Sequence, residues 1–190
     1  MNTHKIAFVL GLAICSQIVY AEGVRENLLG SSVEHGGFGG PQFSVTQLQG
    51  ETNYLMGGKG AWLMNHAFYI GGGGFASMIG MDKHNASYDF GYGGLIAGYI
   101  GNPNKLVHFA VDVLLGGGGV TGRNERSGGM MRADSVLVFE PKVYAAVNLA
   151  EHAQLNLGVG YRYVDQVAAP FSSDDLSNWV VSVNVIFGKF

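Results

Sequence analysis

The chain has 190 residues, a formal net charge of −3, and only 13% charged residues against 47% hydrophobic ones. This charged share is about half of what a soluble domain usually carries, and the acidic balance argues against a nucleic-acid partner. No apolar run approaches the ~20 residues that a membrane-spanning helix needs, so the composition favours a membrane β-barrel.

The first residues have the pattern of a secretory signal peptide. Lys5 precedes the apolar stretch Ile6–Cys15, and Val19–Ala21 fits a cleavage site for small residues. The single cysteine of the chain lies in this segment, so we expect no disulfide and no structural zinc site in the mature protein. We predict three segments: a signal peptide at 1–21, a periplasmic N-terminal segment at 22–36, and a barrel at 37–190.

From Phe38 onward, apolar and polar residues alternate with the period of two that is typical of β-strands. The alternation predicts eight strands, at 38–48, 52–64, 67–79, 87–100, 106–120, 135–149, 154–165 and 176–190. Tight turns at 65–66, 101–105 and 150–153 alternate with longer loops at 80–87, 121–134 and 166–175. This pattern predicts an all-β fold, an eight-stranded antiparallel up-and-down transmembrane β-barrel with short periplasmic turns and longer extracellular loops.

Aromatic residues near the strand ends support a membrane environment, because such residues form girdles at the lipid interfaces of barrels. The polar faces also carry few lysines and glutamates, unlike a sheet surface that faces water. We predict that the following residues lie in the girdles: Tyr54, Trp62, Phe68, Tyr88, Phe90, Tyr163, Trp179 and Phe187.

The layout of residues 37–190 and the final strand, which ends in an aromatic residue, resemble the small eight-stranded outer-membrane barrels of Gram-negative bacteria, of the OmpA transmembrane domain and OmpX type. The segment Tyr54–Phe75 also resembles a group of uncharacterised bacterial envelope proteins, which implies no activity. In the barrel family the terminal aromatic residue is read by the assembly machinery, so the resemblance assigns that role to Phe190. It also implies a location in the cell outer membrane, with outer-membrane lipids, lipopolysaccharide and the assembly machinery as partners.

If the apolar faces point to lipid, the opposite faces define the interior of the barrel. We predict six inward charged residues: Lys59, Asp89, Asp112, Glu140, Lys142 and Arg162. An eight-stranded barrel is just wide enough to be filled by side chains, and buried charges must be paired. The equal numbers of positive and negative groups therefore predict an ion-paired network that plugs the lumen. A proton or ion path, or a small-ligand pocket, is the alternative.

A lipid A-modifying enzyme is a second alternative function. Such an enzyme would need a histidine with a serine or an acid near the outer rim, and only His84, with Asp82 and Ser87, fits that position. This run is a weak signal within a polar loop. We therefore predict a non-enzymatic envelope protein with a stabilising or surface-contact role. We expect no catalytic residues, metal or cofactor, and the sequence does not indicate an oligomeric state.

Overall fold

The computed structural model describes residues 34–83, 86–124, 134–166 and 172–190. Within these residues it has the strands β1 (His35–Leu48), β2 (Glu51–Met64), β3 (Phe68–Ser77), β4 (Met81–Lys83), β5 (Ala86–Gly101), β6 (Val107–Asn124), β7 (Asp134–Ala150), β8 (Ala153–Asp165) and β9 (Asn178–Lys189), and the short helix α1 (Ser173–Leu176). Among the described residues, no helix is long and apolar enough to cross a membrane.

The strands close into a barrel in which every pairing is antiparallel. The sheet runs in the order β3-β2-β1-β9-β8-β7-β6-β5-β4, and a further pairing of β3 with β5 joins its two ends. Because β3 and β4 both pair with β5, they occupy one position in the wall, and the barrel is eight-stranded. The predicted fold class is confirmed.

The side chains alternate so that the polar face is inside. In β8, Gln154, Asn156 and Arg162 are buried, whereas Leu157 and Val159 between them are exposed. The same inversion holds in β9, where Ser182 and Asn184 are buried and Val181 and Val183 are exposed. A sandwich in water would bury the apolar face instead, so this alternation is that of a barrel surrounded by lipid.

The two ends of the barrel differ. The connections that follow β2, β5 and β7 lie at one end, which is the end predicted to be periplasmic. We call it the short-turn end. The long-loop end carries the other connections, although the first of them is a two-residue turn. There Gln49 and Gly50 have φ values of 54° and 79°, as a turn with two left-handed residues requires.

Helix α1 lies in the connection between β8 and β9 and starts at a capping box formed by Ser172 and Asp175. The Gln49 amide of the first turn donates to the Asp175 carbonyl oxygen at 2.8 Å, and the Leu176 side chain is fully buried. The prediction that the last strand starts at 176 is therefore wrong by two residues, because the capping box holds this segment in a helical turn. The helix covers part of the long-loop end.

Candidate functional site: the charged centre of the barrel

Five of the six predicted interior charges lie inside the barrel. Lys59, Asp112, Glu140, Lys142 and Arg162 are all buried. Asp89 is the exception and is exposed on the outer face of β5.

The reason lies with the neighbours of Asp89, since Tyr88, Phe90 and Tyr92 take the inward positions of that stretch of β5. Because side chains alternate along a strand, an inward Tyr88 and Phe90 force Asp89 outward. The same geometry corrects the assignment of Tyr88 and Phe90 to a lipid girdle. Both side chains are buried in the interior, and the Phe90 ring packs against the Arg162 guanidinium.

The first interior cluster is centred on Asp112 of β6. The Lys59 ammonium lies 2.8 Å from its Oδ2 atom, and the Tyr69 hydroxyl donates to the same oxygen at 3.0 Å. The Tyr144 hydroxyl donates to Oδ1 at 3.2 Å, and the Lys59 ammonium lies 4.2 Å from the centre of the Tyr144 ring. One carboxylate thus joins side chains from β2, β3 and β7, so that the cluster spans the lumen.

Two glycines make this cluster possible. A Cβ atom on Gly98 would lie 2.3 Å from the Tyr69 ring, and one on Gly158 would lie 2.5 Å from the Tyr144 ring. Both distances are far below van der Waals contact. The two tyrosine rings therefore approach the bare glycine backbone closely, and from there their hydroxyls donate to Asp112.

The second interior cluster is centred on Glu140 of β7. Its Oε1 atom forms an ion pair with the Lys142 ammonium, and its Oε2 atom accepts a hydrogen bond of 2.6 Å from the Tyr92 hydroxyl of β5. The Lys142 ammonium also lies 4.9 Å from the centre of the Phe75 ring of β3. This cluster, like the first, connects strands that are not neighbours.

Arg162 of β8 is fully buried and is held by neutral groups. Its Nε atom donates to the Leu176 carbonyl oxygen of α1 at 3.0 Å, and Nη2 donates to the Thr46 hydroxyl at 3.3 Å. The guanidinium lies 5.2 Å and 5.4 Å from the ring centres of Phe90 and Tyr92. Its Nη1 atom has no partner among the described residues. Arg162 therefore joins the barrel wall to the helix that covers the long-loop end.

An uncharged polar wall completes the interior along β1, β8 and β9. Its buried side chains are Gln42, Ser44, Gln154, Asn156, Ser182 and Asn184. Near the short-turn end, the Gln154 amide nitrogen lies 3.0 Å from His108 Nε2 and donates to Asn148 Oδ1 at 2.9 Å. Sequence alternation assigns most of these residues to the polar face, but it does not single out Tyr69, Tyr92 and Tyr144 as the partners of Asp112 and Glu140.

The predicted girdle residues Tyr54, Trp62, Tyr163, Trp179 and Phe187 all lie exposed on the outer face. Phe190 is half-buried, and its ring stacks on Phe38 with 5.9 Å between the ring centres. Its role in assembly remains a prediction.

A separate ion pair lies at the short-turn end. His66 Nε2 is 2.5 Å from Glu34 Oε2, and this hydrogen bond is the main cause of a raised pKa of His66 and a lowered pKa of Glu34. The Asn65 amide donates to the Glu34 carbonyl oxygen at 2.9 Å. The pair therefore fastens the start of β1 to the turn after β2.

The residue suspected for an enzymatic alternative, His84, lies outside the described residues. Among the described parts of the chain, no group of three histidine, aspartate or glutamate side chains is placed to hold a metal ion.

No family model matches the sequence, and no curated protein is significantly similar to it. Solved structures do resemble the fold. The neisserial surface protein A structure matches with a TM-score of 0.57 at 11% identity, over 84% of this chain and 99% of that one. Ail, the attachment invasion locus protein of Yersinia pestis, matches with a TM-score of 0.50 at 14% identity, over 81% and 97% of the two chains. The N-terminal β-barrel domain of Pseudomonas aeruginosa OprF matches with a TM-score of 0.51 at 12% identity, over 80% and 96%.

The chain has the fold of the eight-stranded outer-membrane β-barrels. The similar structures are all barrels of this class, and they support the predicted location in the outer membrane. At these identities the likeness concerns the fold, and the role of the protein has to be argued from its own side chains.

Proposed function

We propose that this protein is a non-enzymatic outer-membrane barrel whose lumen is closed by its own side chains, and that it stabilises the envelope or serves as a contact surface on it. The observation that supports this most strongly is the placement of the interior charges. Asp112 and Glu140 each hold a lysine and at least one tyrosine. Of these partners, Lys59, Tyr69 and Tyr92 come from strands that do not pair with the strand of the carboxylate. These contacts hold the strands together across the lumen. A water-filled conducting pore would require the strands to move apart and the contacts to break.

The burial of the charged groups supports the same proposal. Lys59 is the most exposed of the five interior charged residues, at 7%, and Glu140 and Arg162 have no exposure at all. A conducting pore presents its charged groups to water, because desolvating an ion costs several kcal/mol. Here the charged groups contact aromatic rings and one another instead. Outer-membrane lipids, lipopolysaccharide and, through Phe190, the assembly machinery remain the proposed partners.

Conductance in planar lipid bilayers tests the closed lumen. The purified full chain should give no current steps above those of the bare membrane. A Tyr92→Ala/Tyr144→Ala variant, which removes two rings from the interior, serves as a control that should admit ions if it retains the barrel. Steady channels from the unaltered protein would contradict the proposal and favour the narrow-pore alternative.

The envelope role and the enzymatic alternative can be separated in cells. A deletion strain should become more sensitive to detergent and to EDTA, and its lipid A mass spectrum should be unchanged. Complementation with a His84→Ala variant should restore resistance fully. Altered lipid A in the deletion strain, restored by the unaltered protein but not by His84→Ala, would show that the protein is an enzyme.

A further inference from the structure

The wall of the barrel has a notch where β1 and β9 separate near the long-loop end. Their pairing ends at Thr46 and Val180, although β1 continues to Leu48 and β9 starts at Asn178. The Thr46 hydroxyl donates to the Trp179 carbonyl oxygen at 2.8 Å and closes the bottom of this gap. Beyond Thr46 and Val180 the two strands are no longer paired in register.

A cavity of about 290 Å³ occupies this place, and the following residues line it: Val45, Thr46, Gln47, Thr52, Asn178 and Trp179. Gln47 and Thr52 lie directly opposite each other on β1 and β2, and both are exposed on the outer face. Trp179 is 63% exposed. The notch therefore opens sideways, on the surface that faces the membrane interface.

The orientation of Trp179 is fixed by its neighbour. The Tyr161 ring meets it edge to face, with 5.5 Å between ring centres and an interplanar angle of 89°. The Asn178 Oδ1 atom accepts a hydrogen bond of 2.8 Å from the Trp179 amide. An indole held in this way at the side of a cavity offers a rigid apolar surface next to hydrogen-bonding groups.

The lining excludes a strongly charged ligand. It contains the exposed Gln47 amide and Thr52 hydroxyl, the Asn178 amide, and the Thr46 hydroxyl, which is buried and already hydrogen-bonded. It contains no lysine, arginine, aspartate or glutamate. Arg162 lies behind Thr46, but it is fully buried and its Nη2 atom is bonded to the Thr46 hydroxyl. A phosphate or sulfate in the notch would therefore lose its hydration without gaining a cation.

Uncharged amides and hydroxyls beside an exposed indole suit a sugar. Amide and hydroxyl groups both donate to and accept from sugar hydroxyls, and the apolar C–H face of a sugar ring can pack on the indole. We propose that the notch between β1 and β9 binds a sugar of an outer-leaflet glycolipid. The sideways opening supports a lipid-linked sugar, because a lipid in the outer leaflet carries its sugars past this level of the wall.

The chain contains two tryptophans, Trp62 and Trp179, which gives the test an internal control. Trp62 lies on the outer face of β2 near the short-turn end, where its ring stacks on His35. A Trp62→Phe variant of the full chain reports only on Trp179, and a Trp179→Phe variant reports only on Trp62. Each is titrated in detergent with a lipid-free core oligosaccharide, with the complete rough-type glycolipid, with sugar-free lipid A, and with inorganic phosphate.

The proposal expects a saturable change in Trp179 fluorescence with the oligosaccharide and with the complete glycolipid, and none in Trp62 fluorescence. A further Gln47→Ala/Thr52→Ala change should raise the half-saturation concentration about tenfold, as the loss of one or two hydrogen bonds predicts. Heat-dependent gel migration verifies that each variant retains the barrel.

Three results would overturn the proposal. One is the absence of a saturable Trp179 response to the complete glycolipid, and another is an equal response of the two tryptophans. The third is a response to sugar-free lipid A or to phosphate as large as that to the complete glycolipid. None of these depends on whether the lumen conducts, so the sugar site and the closed lumen stand or fall separately.

Discussion

Lys59 and Asp112 lie on strands that do not pair with each other, yet the Lys59 ammonium and the Asp112 Oδ2 atom are 2.8 Å apart. Each of the two residues is at most 7% exposed. An ion pair of this kind crosses the lumen and connects opposite parts of the wall. Its energetic consequences differ from those of an ion pair on a surface, because neither partner can turn to water when the other is removed.

Lys59→Met should lower the free energy of unfolding by about 3–5 kcal/mol, since it leaves the Asp112 carboxylate buried with only hydroxyl partners. The double variant Lys59→Met/Asp112→Leu should be more stable than Lys59→Met alone, because it removes the uncompensated charge. Urea-induced unfolding in lipid vesicles provides the measurement. Asp89→Asn, at the exposed carboxylate, is the control and should change stability by no more than about 0.5 kcal/mol. A double variant less stable than Lys59→Met would contradict this account.

Arg162→Met should cost less than Lys59→Met. The substitution removes the hydrogen bonds to Leu176 and Thr46, worth about 1–3 kcal/mol together, but among the described residues it deprives no carboxylate of a partner. Hydrogen exchange should show faster opening of the Ser177 amide, whose segment Arg162 fastens to the wall, while the amides in the middle of β6 stay protected. Equal destabilisation by the two substitutions would mean that Arg162 compensates a buried carboxylate after all.

Gly158→Ala should destabilise the barrel by about 1–3 kcal/mol, because the new methyl group would overlap the Tyr144 ring. Gly74→Ala is the matched control. A Cβ atom there would have its nearest neighbour at 3.8 Å, and this variant should unfold at the same urea concentration as the unaltered protein. If both variants behave alike, Gly158 is not needed for the close approach of the ring.

The Glu34–His66 pair should make the start of β1 depend on pH. Because the pKa of His66 is raised in the folded protein, the stability that His66 contributes is fully present below its usual pKa of 6.5. That stability is lost as the pH rises through the pKa of His66 in the folded protein. Because the pKa of Glu34 is lowered in the folded protein, the stability that Glu34 contributes is fully present above its usual pKa of 4.5. That stability is lost as the pH falls through the pKa of Glu34 in the folded protein. The hydrogen of the Asn65 amide should therefore exchange most slowly, relative to its intrinsic rate, at pH values between the folded-state pKa of Glu34 and the folded-state pKa of His66.

NMR titration of the His66 ring provides the direct measurement. Glu34→Gln should lower the pKa of His66 and remove the pH window of Asn65 protection. His35→Gln, a substitution at the adjacent residue, should leave both unchanged. A His66 pKa that is the same in the unaltered protein and in Glu34→Gln would rule out the pair as the cause.

The pairing partners in the interior could be predicted only in part. Alternation along β6 and β7 places Asp112, Glu140 and Lys142 on the inward face, and the structure agrees. The error at Asp89 arose where aromatic residues fill the inward positions, because a tyrosine suits either the interior or the lipid interface. The sugar-binding notch had no signal in the sequence, since it depends on where the pairing of β1 with β9 ends.

The sequence by itself determined most of the strand positions, to within a few residues, and the side of the wall to which most residues belong, because a period of two is a local property of the backbone. Only the tertiary structure decided that Lys59 meets Asp112, that Tyr92 reaches Glu140, and that Arg162 is left with neutral partners. Those contacts join residues far apart in the chain. They arise from the closure of the sheet, which brings strands without shared hydrogen bonds together across a narrow lumen.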